Sequence, residues 1–211
     1  MVGPGLTRAV TAGQEADRDD VRPERPLRAD AQRNQERLVG AAREVFAKYG
    51  GDASMEAIAK QAGVGVGTLY RHFPRRIDVV EAVYRTDVDQ LVGTAHQVVE
   101  ELEPWPALVA WMRAFVRYAI GKRTFLNELH EAFDKNPQLR VASRERIDKA
   151  LDLVLAPAQE AGVVREDVDG RDVMQLIGAM CMSATLSEDQ SERLLGVVLD
   201  GLRKSPAATT P

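Results

Sequence analysis

Between Ser54 and Arg76 the chain gathers hydroxyl, phenol, imidazole and guanidinium groups: Ser54, Thr68, Tyr70, Arg71, His72, Arg75 and Arg76. These groups suit contact with a polyanion. A serine at a helix start offers a hydroxyl and backbone N–H to a phosphate, where the helix dipole favours negative charge. Thr68 can donate to a phosphate or set its methyl against that of a thymine. Arg76, assisted by Arg75, is expected to neutralise a phosphate. Arg71 is the one side chain of its helix that can grip a guanine with two hydrogen bonds, or it turns to phosphate or solvent. Gly65, Val66 and Gly67 sit where a groove would be faced. Glycines let a backbone come close but offer no side chain to a base edge, so shape readout is expected to share in specificity. Phosphate contacts position a protein on a duplex and carry little sequence information.

Two short helices must hold these groups. Met55, Ile58, Ala59 and Ala62 recur at i, i+3, i+4 and i+7, one face of a helix, and Ser54 precedes them as a good N-cap. Gly63 follows the last apolar position, where a left-handed residue ends a helix without a Cβ penalty. The chain turns at Gly63-Val64-Gly65, and a second helix over 66–73 is expected to dock through Val66, Leu69 and Phe73. Two helices joined by about four residues form the helix-turn-helix, whose second helix lies in a major groove.

The run Gly67-Thr68-Leu69-Tyr70-Arg71-His72-Phe73 resembles the signature of the TetR family of one-component transcriptional regulators, residue for residue. The resemblance covers residues 32–92; Gly65 departs from it, standing where relatives often carry serine. It implies that Tyr70 and His72 contact the DNA backbone, and that a C-terminal helical bundle with an internal pocket follows. It also implies that the last two helices pair with their copies as a four-helix dimer interface. On that basis Ile177, Gly178, Cys181, Leu195, Val198, Leu199 and Leu202 are the interface candidates. Trp111, Met112, Phe115, Tyr118, Phe133 and Met174 are the candidates to line a pocket for an apolar or aromatic effector, although any bundle core has such residues. Two terminal helices with wide apolar faces can equally cap a monomer core.

Charge is unevenly placed along the 211 residues, whose net charge is −4. Residues 22–76 hold 11 Lys and Arg against 6 Asp and Glu, whereas residues 77–211 hold 15 against 22. A basic excess around the helix-turn-helix is the footprint of phosphate binding, or an ordinary solvated surface. No apolar run approaches the roughly 20 residues of a membrane helix. The N-terminus lacks a basic-then-apolar leader pattern and there is one cysteine, so a cytoplasmic protein is expected.

Residues 1–29 show no apolar period and are expected to be a disordered tail, with Arg22, Arg25 and Arg28 as a minor-groove arm or a plain solvated leader. From Asp30 to Tyr49 a support helix carries Leu38, Ala41, Ala42, Val45, Phe46 and Tyr49 inward. A long helix from Arg75 to Glu101 bridges two domains, a DNA-binding one over 30–92 and a ligand-binding and dimerisation one over 93–211. Helical stripes continue to Leu202 with no strand pattern, so the fold class is all-α. An enzyme reading finds little footing. Gly63, Gly65 and Gly67 follow no strand and lack the Gly-Lys-Ser/Thr ending of a phosphate loop, and His72, His96 and His130 are too far apart to form a short-range metal cluster. No cofactor is expected. A rival reading is a helical small-molecule-binding or scaffold protein that uses its helix-turn-helix for protein contacts.

Overall fold

The computed structural model describes residues 1, 24–183 and 186–204, with side chains of the first helix from Gln32 onward. Among them the chain is all-helical. α1 (Glu24–Tyr49), α2 (Met55–Gln61) and α3 (Val66–His72) form the N-terminal unit, and α4 (Arg76–Glu101) leads out of it. α5 (Pro104–Gly121), α6 (Leu126–Lys135), α7 (Pro137–Glu160), α8 (Gly170–Cys181) and α9 (Glu188–Leu202) complete the bundle. Short 3₁₀ turns at Gly50–Asp52 and Lys122–Phe125 join α1 to α2 and α5 to α6.

Local chemistry sets most boundaries. The Ser54 hydroxyl accepts from the Ala57 N–H at 3.0 Å and caps α2. Gly63 takes φ +67°, the left-handed conformation expected of it. Asp169 and Asp172 form a reciprocal capping box at the start of α8, and Pro157 lies in the last turn of α7. α1 begins six residues ahead of Asp30. Pro26 falls in its first turn, where the missing N–H would have no helical partner, so proline is compatible with that start. Arg22 of the expected arm lies outside the described residues.

Packing then joins the two parts. α4 packs against α1 and against α5, α6 and α7. Its buried stripe, from Ile77 through Val83, Val88 and Leu91 to Val98, serves both. Phe46 of α1 is fully buried against Phe125, ring centroids 5.2 Å apart, so the N-terminal unit shares a core with the bundle. Tyr49, expected in that core, is instead exposed at the end of α1, with the Lys48 ammonium over its ring. At the far end, backbone bonds from Arg165 to Leu202 and from Lys204 to Val163 tie the α7–α8 connection to the end of α9.

Candidate nucleic-acid interface

α3 is held by its inner side and open on its outer side. Leu69 and Phe73 are buried, while Gly65, Val66, Gly67, Tyr70 and Arg71 are exposed and Thr68 is half-buried. Val66, expected to dock inward, belongs to the outer face. A Cβ built at Gly65 or Gly67 meets nothing within 4 Å, so no contact inside the protein requires glycine there. What these two positions leave open is the space outside α3. Arg71 donates to the Thr68 hydroxyl at 2.9 Å, which holds its guanidinium over the exposed surface.

Side-chain bonds between α1 and α2 fix the pose of α2, on which α3 packs. Arg37 of α1 donates to the Ala62 carbonyl at the end of α2, 2.8 Å away, and Gln61 bonds Glu44 at 2.5 Å. Ser54 is exposed, and with its oxygen occupied by the Ala57 N–H its own hydroxyl proton is left for an outside acceptor. His72 is half-buried and lines a groove between α1 and α4 together with Val39, Arg43 and Arg85.

The two arginines after Pro74 have different surroundings. Arg75 is exposed and caps α4: the Asp78 carboxylate accepts from its backbone N–H at 2.9 Å and from its guanidinium at 2.5 Å. That pairing holds the Asp78 carboxyl below the usual range. Arg76 turns inward. Its guanidinium donates to the Ala53 carbonyl, to the Gly51 carbonyl at 3.2 Å and to Glu128 of α6 at 2.8 Å, and lies over the Phe46 ring. The side chain expected on a phosphate is thus bound to carbonyls of the α1–α2 connection and to the bundle. A second ion pair, Arg43 with Asp87, joins α1 to α4, and burial raises the Asp87 carboxyl. Sequence spacing carries no trace of either link, because the partners lie 44 to 52 positions apart.

The pocket candidates do not share one cavity. Trp111 and Met112 are wholly buried in the core, with the Trp111 indole N–H on the Leu91 carbonyl at 3.2 Å. Phe133 packs edge-on to Tyr84. Tyr118 lines a cavity of about 320 Å³ at the junction of α1, α4 and α5, beside Arg43 and Asp87. Phe115 and Met174 line another of about 430 Å³ between α5, α7 and α8. Among the interface candidates, Ile177, Cys181, Leu195, Leu199 and Leu202 are buried within the protomer, and Gly178 and Val198 are half-buried. The large apolar side chains left outside on α8 and α9 are Leu176, 54% exposed, Val197, 69% exposed, and Leu194, and Met182 just after α8 is exposed as well. Among the described residues no cluster of His, Cys, Asp and Glu could hold a metal, and no helix is long and apolar enough to cross a membrane.

Known proteins share this arrangement. The family model described as bacterial regulatory proteins, tetR family, matches residues 38–83, and that of the SbtR-like transcriptional regulator C-terminal domain matches residues 103–204. A TetR transcriptional regulator of known structure from Streptomyces coelicolor is 36% identical, covers 82% of this chain and 99% of its own, and superposes with a TM-score of 0.73. A TetR transcription regulatory protein from Mycobacterium vanbaalenii is 37% identical over 85% of this chain and all of its own, with a TM-score of 0.66. The transcriptional regulator UidR of Escherichia coli is 25% identical over 147 residues, 68% of this chain and 75% of its own. These relatives are named as regulators of transcription, not as enzymes.

Proposed function

From the premise that this chain belongs to the TetR family of DNA-binding transcriptional regulators, we propose that it binds a palindromic operator as a homodimer, represses from it, and is released by a small molecule. The observation that carries the DNA-binding reading is the outer face of α3. It presents Val66, Gly67, Tyr70 and Arg71 outward, is backed by buried Leu69 and Phe73, and is free of any internal contact that would demand its glycines. Tyr70, Arg71 and Thr68 meet the duplex from α3, Ser54 and Arg75 meet phosphates from the helix starts beside it, and His72 flanks them. Such a protein works in the cytoplasm, where its operator is.

Two copies would join through the outer face of α8 and α9. Leu176, Leu194 and Val197 are the exposed apolar side chains of α8 and α9 that a four-helix interface would cover. One reading helix per subunit then meets successive major grooves about 34–36 Å apart, or a multiple of that. A ligand that favours another separation of the two N-terminal units lowers DNA affinity only as far as its affinities for the two states differ. α4 is the element through which this acts: it carries the Arg43–Asp87 and Arg76–Glu128 links, and it packs on the bundle helices. The division of labour near residue 92 therefore falls inside one continuous helix rather than at a flexible linker.

The test is fluorescence-anisotropy binding to the promoter DNA flanking its own gene, at two salt concentrations and with random duplex as competitor. Tight, competitor-resistant binding that weakens steeply with salt is expected. Tyr70→Ala should weaken it with little change in melting temperature, because the ring is 43% exposed. Unaltered affinity in that variant would remove Tyr70 from the interface. Salt-insensitive association would favour a module for protein contacts.

A further inference from the structure

The cleft between α5, α7 and α8 has a lining that a hydrophobic core does not explain. Phe115, Met174 and Met182 form its apolar wall, and Lys122, Arg144 and Arg171 stand around it, with no carboxylate in the lining. Arg144 uses its Nε on Asp148 one turn along α7, at 3.0 Å, which leaves its outer guanidinium nitrogens for another partner. Lys122 and Arg171 make no ion pair among the described residues. The Lys122 ammonium lies over the Tyr118 ring, 5.0 Å from its centre, and burial together with Arg144 holds its pKa below the ordinary lysine value. Arg144 and Arg171 stand exposed at the rim and Lys122 is half-buried, so Lys122 is the cation partly withdrawn from water, and an anion in the cleft would offset that cost. The volume, about 430 Å³, falls within the range of small-molecule sites.

We propose that this cleft takes a small amphipathic anion, a carboxylate or phosphate ester on an apolar body, with its head against Lys122, Arg144 and Arg171 and its body along Phe115, Met174 and Met182. This refines the effector reading above and rests on it for its regulatory consequence, not for binding itself. An apolar or aromatic body would lie along the apolar wall. The three cations add a charge requirement, and an amine of the same size would be rejected by like-charge repulsion and desolvation.

The experiment is calorimetric titration of the full-length protein, without DNA, using octanoate, octyl phosphate and octylamine at one pH and ionic strength. Binding of at least one anion, at least about tenfold tighter than octylamine, is expected, and the stronger of the two identifies the head group. Lys122→Met keeps the apolar stem and removes the charge. It should raise the melting temperature of the free protein and weaken the bound anion about tenfold or more, and Arg171→Gln should weaken it as well. Equal binding of octylamine, no binding of either anion, or full affinity in Lys122→Met would overturn the proposal. Adding the bound anion to the protein–operator complex then separates the two readings. Binding in the cleft without DNA release upholds the site and removes this ligand class as effector, whereas DNA release by the same anion that is undiminished in Lys122→Met removes the site and leaves ligand control standing.

Discussion

Replacing Arg76 with alanine tests whether this side chain fastens the fold or touches DNA. Its guanidinium is bonded to two backbone carbonyls and to Glu128, and the side chain is 29% exposed against 19% for Glu128. Charge-assisted hydrogen bonds contribute about 1.5–3 kcal/mol each, and removing one member of a buried pair costs about 3–5 kcal/mol. Partial exposure screens this pair, so about 2–4 kcal/mol is the reasonable loss. At about 2–4 °C per kcal/mol for a chain of this size, the melting temperature should fall by about 5–15 °C. The slope of log affinity against log salt should stay unchanged, because no phosphate contact is removed. A phosphate ligand would behave in the opposite way, leaving the melting temperature unaltered and reducing the slope by about 0.9 per contact. Thermal melts and anisotropy titrations on the same preparation separate the two. A melting temperature within about 1 °C of the parent with a shallower salt slope would refute the assignment. The double variant Arg76→Ala with Glu128→Ala should then cost less than the two single losses together, since the pair is shared.

Gly67→Ala should stabilise the protein by about 0.5–1 kcal/mol, since the helix gains a residue of lower unfolded entropy and the new methyl meets nothing, yet weaken operator binding; equal or tighter binding would show that the backbone of α3 does not approach the duplex closely. Leu176→Asp with Val197→Asp should yield a monomer in sedimentation equilibrium with an unchanged melting profile at low concentration, as both side chains are exposed in the protomer. Lys122 titrates below its ordinary value of 10.5, so the folded state binds fewer protons than the unfolded one between the two values and stability rises with pH across that window. The stability advantage of Lys122→Met should therefore be largest near neutral pH and shrink as pH rises towards 10.5, with Arg144, Arg171, Cys181 and Tyr118 the other groups around the amine; a constant gap in urea titrations would contradict it.

Local interactions explain what could be read from the chain alone. The Ser54 cap, the left-handed Gly63, the inward Leu69 and Phe73 and the long stripe of α4 all depend on residues within a few positions of one another, and periodicity reports those directly. The run from Gly67 to Phe73 likewise carries the family's signature within seven residues, and the absence of any period-2 pattern points to an all-helical fold. Tertiary structure decided the destinations of side chains that have two plausible ones. Arg76 has the right charge and position for a phosphate, but Glu128, far along the chain, and the Gly51 and Ala53 carbonyls turn it inward. Ile177, Cys181, Leu195 and Leu199 lie on apolar stripes wide enough to face either a neighbour or the core. Packing of α8 on α5 and α7, and of α9 on α5 and α8, assigns them to the core and leaves Leu176 and Val197 outside. The cleft's three cations come from α7, α8 and the turn after α5, and only the fold brings them around one volume. Period and capping are properties of one helix; the face it buries and the ions it gathers are properties of its neighbours.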